Sequence, residues 1–173
     1  DNQGAPIGSG NSVTLSSSDS SDTVSDATDT NGSGVAIFTV KSTVVGTKTI
    51  TAVVDVNGDA VSLGTIELTF VAGSATAITV KSGNSQSAIV GNAVTNPLTV
   101  TVTDANGNPV SGAQVDFAVI SVDATGTLSD ASDTTNSSGD ASSTLTLATT
   151  SGTVEVRAVL NGTSASDTFT TTA

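Results

Sequence analysis

The sequence predicts an all-β chain of two tandem Greek-key β-sandwich domains, the first lacking its initial strands. Three observations predict it. Apolar residues alternate with Ser and Thr at a period of two, turn residues separate the alternating runs, and the second part of the chain repeats the first in order.

The elements are clearest in the second copy. Ile78 and Val80 open it, and Leu98, Val100 and Val102 then alternate with Thr99, Thr101 and Thr103, which places the aliphatics in the core and the threonines in water. The next runs are Val115-Phe117-Val119, Ala141-Ser143-Leu145-Leu147 and Val154-Val156-Ala158-Leu160, with a last strand around Phe169. Between them stand Asn106-Gly107, expected to turn at positive φ, then Asn136, Gly139 and Asn161-Gly162. The first copy has Val13-Leu15, Phe38-Val40 and Ile50-Ala52-Val54.

The repeat fixes the domain size. Asp1-Asn2-Gln3-Gly4-Ala5-Pro6-Ile7 matches Asp104-Ala105-Asn106-Gly107-Asn108-Pro109-Val110, residues 25–31 match 129–136, and residues 46–54 match 152–160. The offset of roughly a hundred residues is the length of one sandwich domain. This predicts domains at 1–73 and 74–173. The joint over residues 71–77 has no Pro and no Ser/Gly tether, so the domains are expected end to end as a rod, each roughly 35–45 Å long.

The first copy contains nothing that corresponds to residues 74–103, so two of its strands are absent. The apolar faces of its remaining strands would then lie partly uncovered, with unpaired backbone beside them. Two sources would fill the gap: upstream residues of a longer repeat array, or strands inserted by another subunit, which repeated head to tail builds a fibre.

Composition excludes several functions. Ser and Thr make up about a third of the 173 residues, and the four aromatics are Phe38, Phe70, Phe117 and Phe169. The net charge is −12, with Lys41, Lys48, Lys81 and Arg157 the four cations, so nucleic-acid binding, which needs clustered Lys and Arg, is excluded. No apolar run reaches the ~18–20 residues that span a bilayer, and no direct membrane insertion by this segment is expected. The N-terminus shows no signal pattern, so a secretory signal would have been removed or lie upstream.

Catalysis has no candidate residues. The chain has no His and no Cys, and it lacks a Gly-x-Ser-x-Gly turn and a phosphate loop, so its many serines stand without a base. We expect no enzyme activity and no cofactor. Calcium is the one ion the loops would suit: Asp19, Asp22, Asp26 and Asp29 crowd one, Asp55, Asn57 and Asp59 another, and Asp123, Asp130 and Asp133 recur in the second copy. The competing reading is that Asp simply favours turns and solvated edges. Asn31, Asn136 and Asn161 begin Asn-x-Ser/Thr triplets and are the candidate glycosylation sites, in a chain where such triplets also arise by chance.

Residues 100–117, with Asp104-Ala105-Asn106-Gly107-Asn108-Pro109-Val110 at their centre, resemble the bacterial Ig-like repeats of intimin- and invasin-type adhesins. The Thr-Asn-Ser-Ser-Gly-Asp-Ala stretch at 135–141 and the joint at residues 70–78 resemble them too. The resemblance implies immunoglobulin-like domains in an extracellular stalk at the bacterial cell surface, acting as a stiff spacer. Subunits of an extracellular filament assembled by strand complementation are the alternative. It implies neighbouring Ig-like repeats or identical subunits as partners, and it carries over no catalytic or ligand-binding residue. A receptor-binding terminal domain of the lectin-like kind is not seen in the sequence.

Overall fold

The computed structural model describes residues 8–173, which form strands, turns and loops without a helix. The chain divides into two compact units, Asp1–Val71 and Ala72–Ala173. Residues 1–7, which carry the repeat match to 104–110, lie outside the described residues.

The first unit contains β1 (Ser12–Ser17), β2 (Thr23–Val24), β3 (Thr28–Asp29), β4 (Val40–Lys41), β5 (Gly46–Val56) and β6 (Asp59–Phe70). Four strands make one antiparallel sheet in the order β3-β1-β5-β6, and β2 pairs with β4 separately. The long β5–β6 hairpin closes through Asn57 (φ 58°) and Gly58 (φ 92°). Positive φ at both central residues is the two-residue turn whose twist matches the strands it joins.

The second unit contains β7 (Ala77–Ser82), β8 (Gln86–Ser87), β9 (Leu98–Thr103), β10 (Gln114–Val119), β11 (Gly126–Leu128) and β12 (Ser132–Thr134). It continues with β13 (Asp140–Ser143), β14 (Leu145–Leu147), β15 (Thr153–Leu160) and β16 (Ser166–Thr172). One layer runs β12-β10-β15-β16-β8. The other is built from β13-β9-β7 and from β11-β14. The segment that starts with β7 changes layers: β7 pairs antiparallel with β9, and β8 pairs parallel with β16 on the opposite sheet.

The two-residue period places the core. Leu98, Val100 and Val102 are buried, and they pack with Val115, Phe117, Leu145, Leu147, Val154, Val156, Leu160 and Phe169 in one cluster between the layers. Thr99, Thr101 and Thr103 take the other side of β9 and are partly exposed. Of the expected pair at Asn106-Gly107, only Gly107 adopts positive φ. Gly139 (φ 76°) is needed for a second reason, because a Cβ there would lie 2.6 Å from the Val102 carbonyl oxygen. Its own carbonyl accepts the Val102 N–H at 2.8 Å, which closes β13 on β9.

Both units contain the same buried threonine turn. Thr135 Oγ1 donates to the Val110 carbonyl at 2.7 Å and accepts the Ala113 N–H at 2.9 Å. In the first unit Thr30 Oγ1 donates to the Gly8 carbonyl at 2.7 Å and accepts the Asn11 N–H at 3.3 Å. In this turn the repeat is one of hydrogen bonds, in a register one residue on from the sequence match of Ile7 with Val110: Gly8, Gly10 and Asn11 stand where Val110, Gly112 and Ala113 stand.

The units differ in what covers the sheet. Among the described residues the first has no counterpart of β7, β8 or β9, nor of β13, which in the second unit pairs with β9. Burial on its inner face therefore stops at β5. Ile50 is 1% exposed, and its cross-strand partner Ile66 on β6 is 59% exposed. Val156 and Phe169 hold the same register in the second unit, and both are 0% exposed.

Candidate functional site

The side chains expected to bind ions or carry sugar are held mainly by backbone groups. Asp55 Oδ1 accepts the Gly58 N–H at 2.7 Å and so braces the hairpin turn that also contains Asn57 and leads to Asp59. Asp133 accepts the Thr134 and Ser142 N–H groups, each at 2.8 Å. Asp130 is tied through its backbone to Ser143, and Asp123 lies in the exposed loop after β10. Asp26 and Asp29 are exposed. Among the described residues no group of three or more acidic side chains is placed to hold a metal ion.

The three asparagines are exposed, and each is part of a turn. Asn31 Oδ1 accepts the Ser33 and Val35 N–H groups at 2.9 and 3.0 Å. Asn136 Oδ1 does the same with Ser138 and Asp140 at 2.8 and 3.2 Å. Asn161 differs, because its amide nitrogen donates to Asp116 Oδ2 at 2.6 Å. That bond, with a second from Gln114, holds the Asp116 carboxyl below its ordinary range.

Two carboxylates take more partners than the sequence reading anticipated. Asp104 is nearly buried at the end of β9. Its Oδ1 accepts the Asn106 and Asn108 N–H groups at 2.8 and 2.9 Å, and its Oδ2 accepts the Gly73 N–H at 2.9 Å. The Asn108 side-chain amide donates to both oxygens. The Asn108 amide first, and the Gly73 N–H next, hold the Asp104 carboxyl down to about 2. The motif Asp-x-Asn-Gly-Asn-Pro is therefore more than a good turn. It anchors the segment that enters β7, a long-range bond that local pattern does not reveal.

The second is Asp19, whose Oδ2 lies 2.5 Å from Lys48 Nζ while Oδ1 accepts from Ser21. Lys48 is a buried lysine on the inner face of β5, in the register that Val154 occupies in the second unit. The Lys48 ammonium, helped by Ser21, holds the Asp19 carboxyl well below the usual carboxylate range. Replacing the cation with an apolar side chain of similar length keeps the strand's packing and removes that pull. Lys48→Met is expected to raise the Asp19 titration midpoint toward the ordinary value, read by carboxyl NMR. An unchanged midpoint would show that the pair does not form in solution. On the second unit Lys81 pairs with Asp140, which also accepts from Thr101, and these two donors lower the Asp140 carboxyl.

Two layers that are antiparallel apart from the β8–β16 pair, a Greek-key order and loops whose polar groups mostly brace turns define an immunoglobulin-like sandwich module. Residues 77–172 match the model of the bacterial Ig-like domain (group 1) family, and the chain belongs to that family. Among solved structures, Yersinia pseudotuberculosis InvD aligns with 99% of this chain at 22% identity and TM-score 0.54. The alignment takes in 49% of InvD, so the chain spans about half of that structure. The D0-D1 domain of intimin aligns at 24% identity and TM-score 0.42, covering 99% of this chain and 85% of that one. Invasin, described as a bacterial integrin-binding protein, aligns at 24% identity and TM-score 0.41, covering 100% of this chain and 34% of that one. No curated protein matches the sequence significantly.

Proposed function

We propose that the chain is a non-catalytic structural segment of an extracellular bacterial adhesin stalk, in which it acts as a stiff spacer between neighbouring Ig-like repeats. The observation that carries this reading is the repeated module itself: two units of one chain share the threonine turn and the Asn turn beside it, bond for bond. Family membership supports the reading. So does the absence of His and Cys, which leaves no ordinary base or thiol nucleophile.

Small-angle scattering from the purified chain tests it. A rod of two domains about 70–90 Å long predicts a radius of gyration of about 20–26 Å, whereas a compact chain of this length has one of only about 16 Å. A compact profile would end the spacer reading. The uncovered inner face of the first unit favours one alternative, a filament subunit completed by strands of another molecule. Electron microscopy of native material with its intact mass separates the two. Filaments of a short chain support complementation, and isolated rods of a much longer polypeptide support the stalk.

A further inference from the structure

Lys48 is enclosed at the inner face of β5, on the same side of the strand as the buried Ile50 and Val54, and 7% of its surface is exposed. A buried amine stays charged by virtue of a partner. The partner is Asp19, whose Oδ2 lies 2.5 Å from Nζ. The loop that carries Asp19 is fixed to the same strand. The Ser18 N–H donates to the Thr49 carbonyl at 2.9 Å, and the Thr49 N–H donates to Ser18 Oγ at 3.0 Å. Amine and carboxyl are therefore held in contact by bonds to the backbone on either side of them.

The two oxygens of Asp19 have different surroundings. Oδ2 faces the amine, while Oδ1 accepts the Ser21 N–H at 2.9 Å and the Ser21 hydroxyl at 2.7 Å. Two donors on one oxygen, with a nucleophile at the other, stabilise the charge that develops at Oδ1 when the carboxyl carbon is attacked. A second carboxyl belongs to the same cluster. Asp22 Oδ2 accepts the Ser17 hydroxyl at 2.6 Å, and Ser17 Oγ accepts the Asp19 N–H at 3.2 Å. Asp22 Oδ1 is buried without a hydrogen-bond partner, a costly state for a carboxylate oxygen and one that suits a proton acceptor.

We propose that Lys48 and Asp19 form an intramolecular amide crosslink between Nζ and Cγ. The ion pair is the starting state, in which the ammonium has no lone pair and the carboxylate is a poor electrophile. Passage of one proton from Nζ to Oδ2 gives a free amine against a neutral acid, and burial narrows the gap between the charged and neutral forms. The Nζ lone pair then attacks Cγ, and the negative charge rests on Oδ1 under the Ser21 donors. A second proton leaves the nitrogen by way of Asp22 for Oδ2, the Cγ–Oδ2 bond breaks, and Oδ2 departs as water. Ammonium and carboxylate become one amide and one water, so no oxidant, cofactor or second substrate enters. Fixed contact supplies the drive that is missing between free molecules, because groups held in reacting geometry reach effective concentrations of about 10⁵–10⁸ M.

The second unit is the internal comparison. Val154 holds the register of Lys48 there, and the loop after β10 contributes the apolar Ala124 to the core, so neither an amine nor a carboxyl is enclosed at that place. In the crosslinked chain Asp19 no longer titrates, and the carboxyl titration described above reads the unreacted pair.

Intact mass of the purified full chain tests the proposal. The chain is expected to be lighter than its sequence by one water, and trypsin is expected to leave residues 1–41 joined to 42–81 with Lys48 uncut. Lys48→Arg keeps a cation without the amine and Asp19→Ala removes the carboxyl; each is expected to restore the mass of its sequence. Asp22→Asn keeps an acceptor for Ser17 and removes the base. Followed by mass from the time of synthesis, it is expected to crosslink at least about tenfold more slowly. A parent chain that stays at the mass of its sequence would overturn the crosslink whether or not the variants fold. So would a loss of water that persists in Lys48→Arg, since it would lie elsewhere in the chain. Crosslinking of Asp22→Asn at the parent's rate would overturn the part assigned to Asp22. The spacer reading is independent of all these outcomes and fails separately, in the scattering of the chain.

Discussion

Truncating Phe169 to Ala is expected to destabilise the second unit by about 3–5 kcal/mol, the range for removing a buried aromatic from a core that cannot collapse around the loss. Phe169 is completely buried and packs in the cluster with Val156, Val154 and Leu98. Ile66→Ala alters the position in the same register of the first unit. Because that side chain is largely exposed, its truncation is expected to cost less than about 0.5 kcal/mol. Urea titrations followed by hydrogen exchange in each unit measure the two separately, which matters because a two-unit chain need not unfold in one step. Equal losses would mean that the first unit is closed in solution and that its inner face is not open.

The second large effect concerns Asp104. Its carboxylate satisfies three backbone N–H groups and the Asn108 amide, so Asp104→Ala leaves Gly73, Asn106 and Asn108 N–H groups without that acceptor. Exchange at these three amides is expected to accelerate by about tenfold or more. The acid dependence follows from the same bonds. The carboxyl is held at about 2 against an ordinary 3.8, so the charged form is favoured by folding. Its contribution is complete above the ordinary value and is lost as pH falls through about 2. Asp104→Asn should therefore abolish the part of the acid response that falls in this window. NMR titration of the Asp104 carboxyl and the Gly73 amide reads it directly, and a midpoint near 3.8 would show that the anchor is not made.

Much of the fold was legible because the signals are local. Alternation in Leu98-Thr99-Val100-Thr101-Val102-Thr103 assigns each side chain to a face before any partner strand is known, and Gly107, Gly139 or Gly162 marks a turn from backbone sterics alone. Among the strands of two or three residues, β8, β11 and β12 were not legible. Apart from Leu128 they contain Gln, Ser, Asp, Thr and Gly with little alternation, and they are strands only because a neighbour offers hydrogen bonds. The candidate carboxylates show the same limit. Asp55 and Asp133 read equally well as ion ligands or turn braces, and the backbone N–H groups that face them are set by turns and strand contacts that composition does not specify.

By itself the sequence determined the class of the chain and its two-copy repeat. These depend on periodicity and on comparison of the chain with itself. The tertiary structure decided which side chains are enclosed. Lys48 looks like a solvated cation and is buried in the register of Val154, and Ile66 looks like a core residue and stands in solvent where Phe169 is enclosed. Burial depends on which strand lies across the face, and that is a long-range property no window of sequence contains.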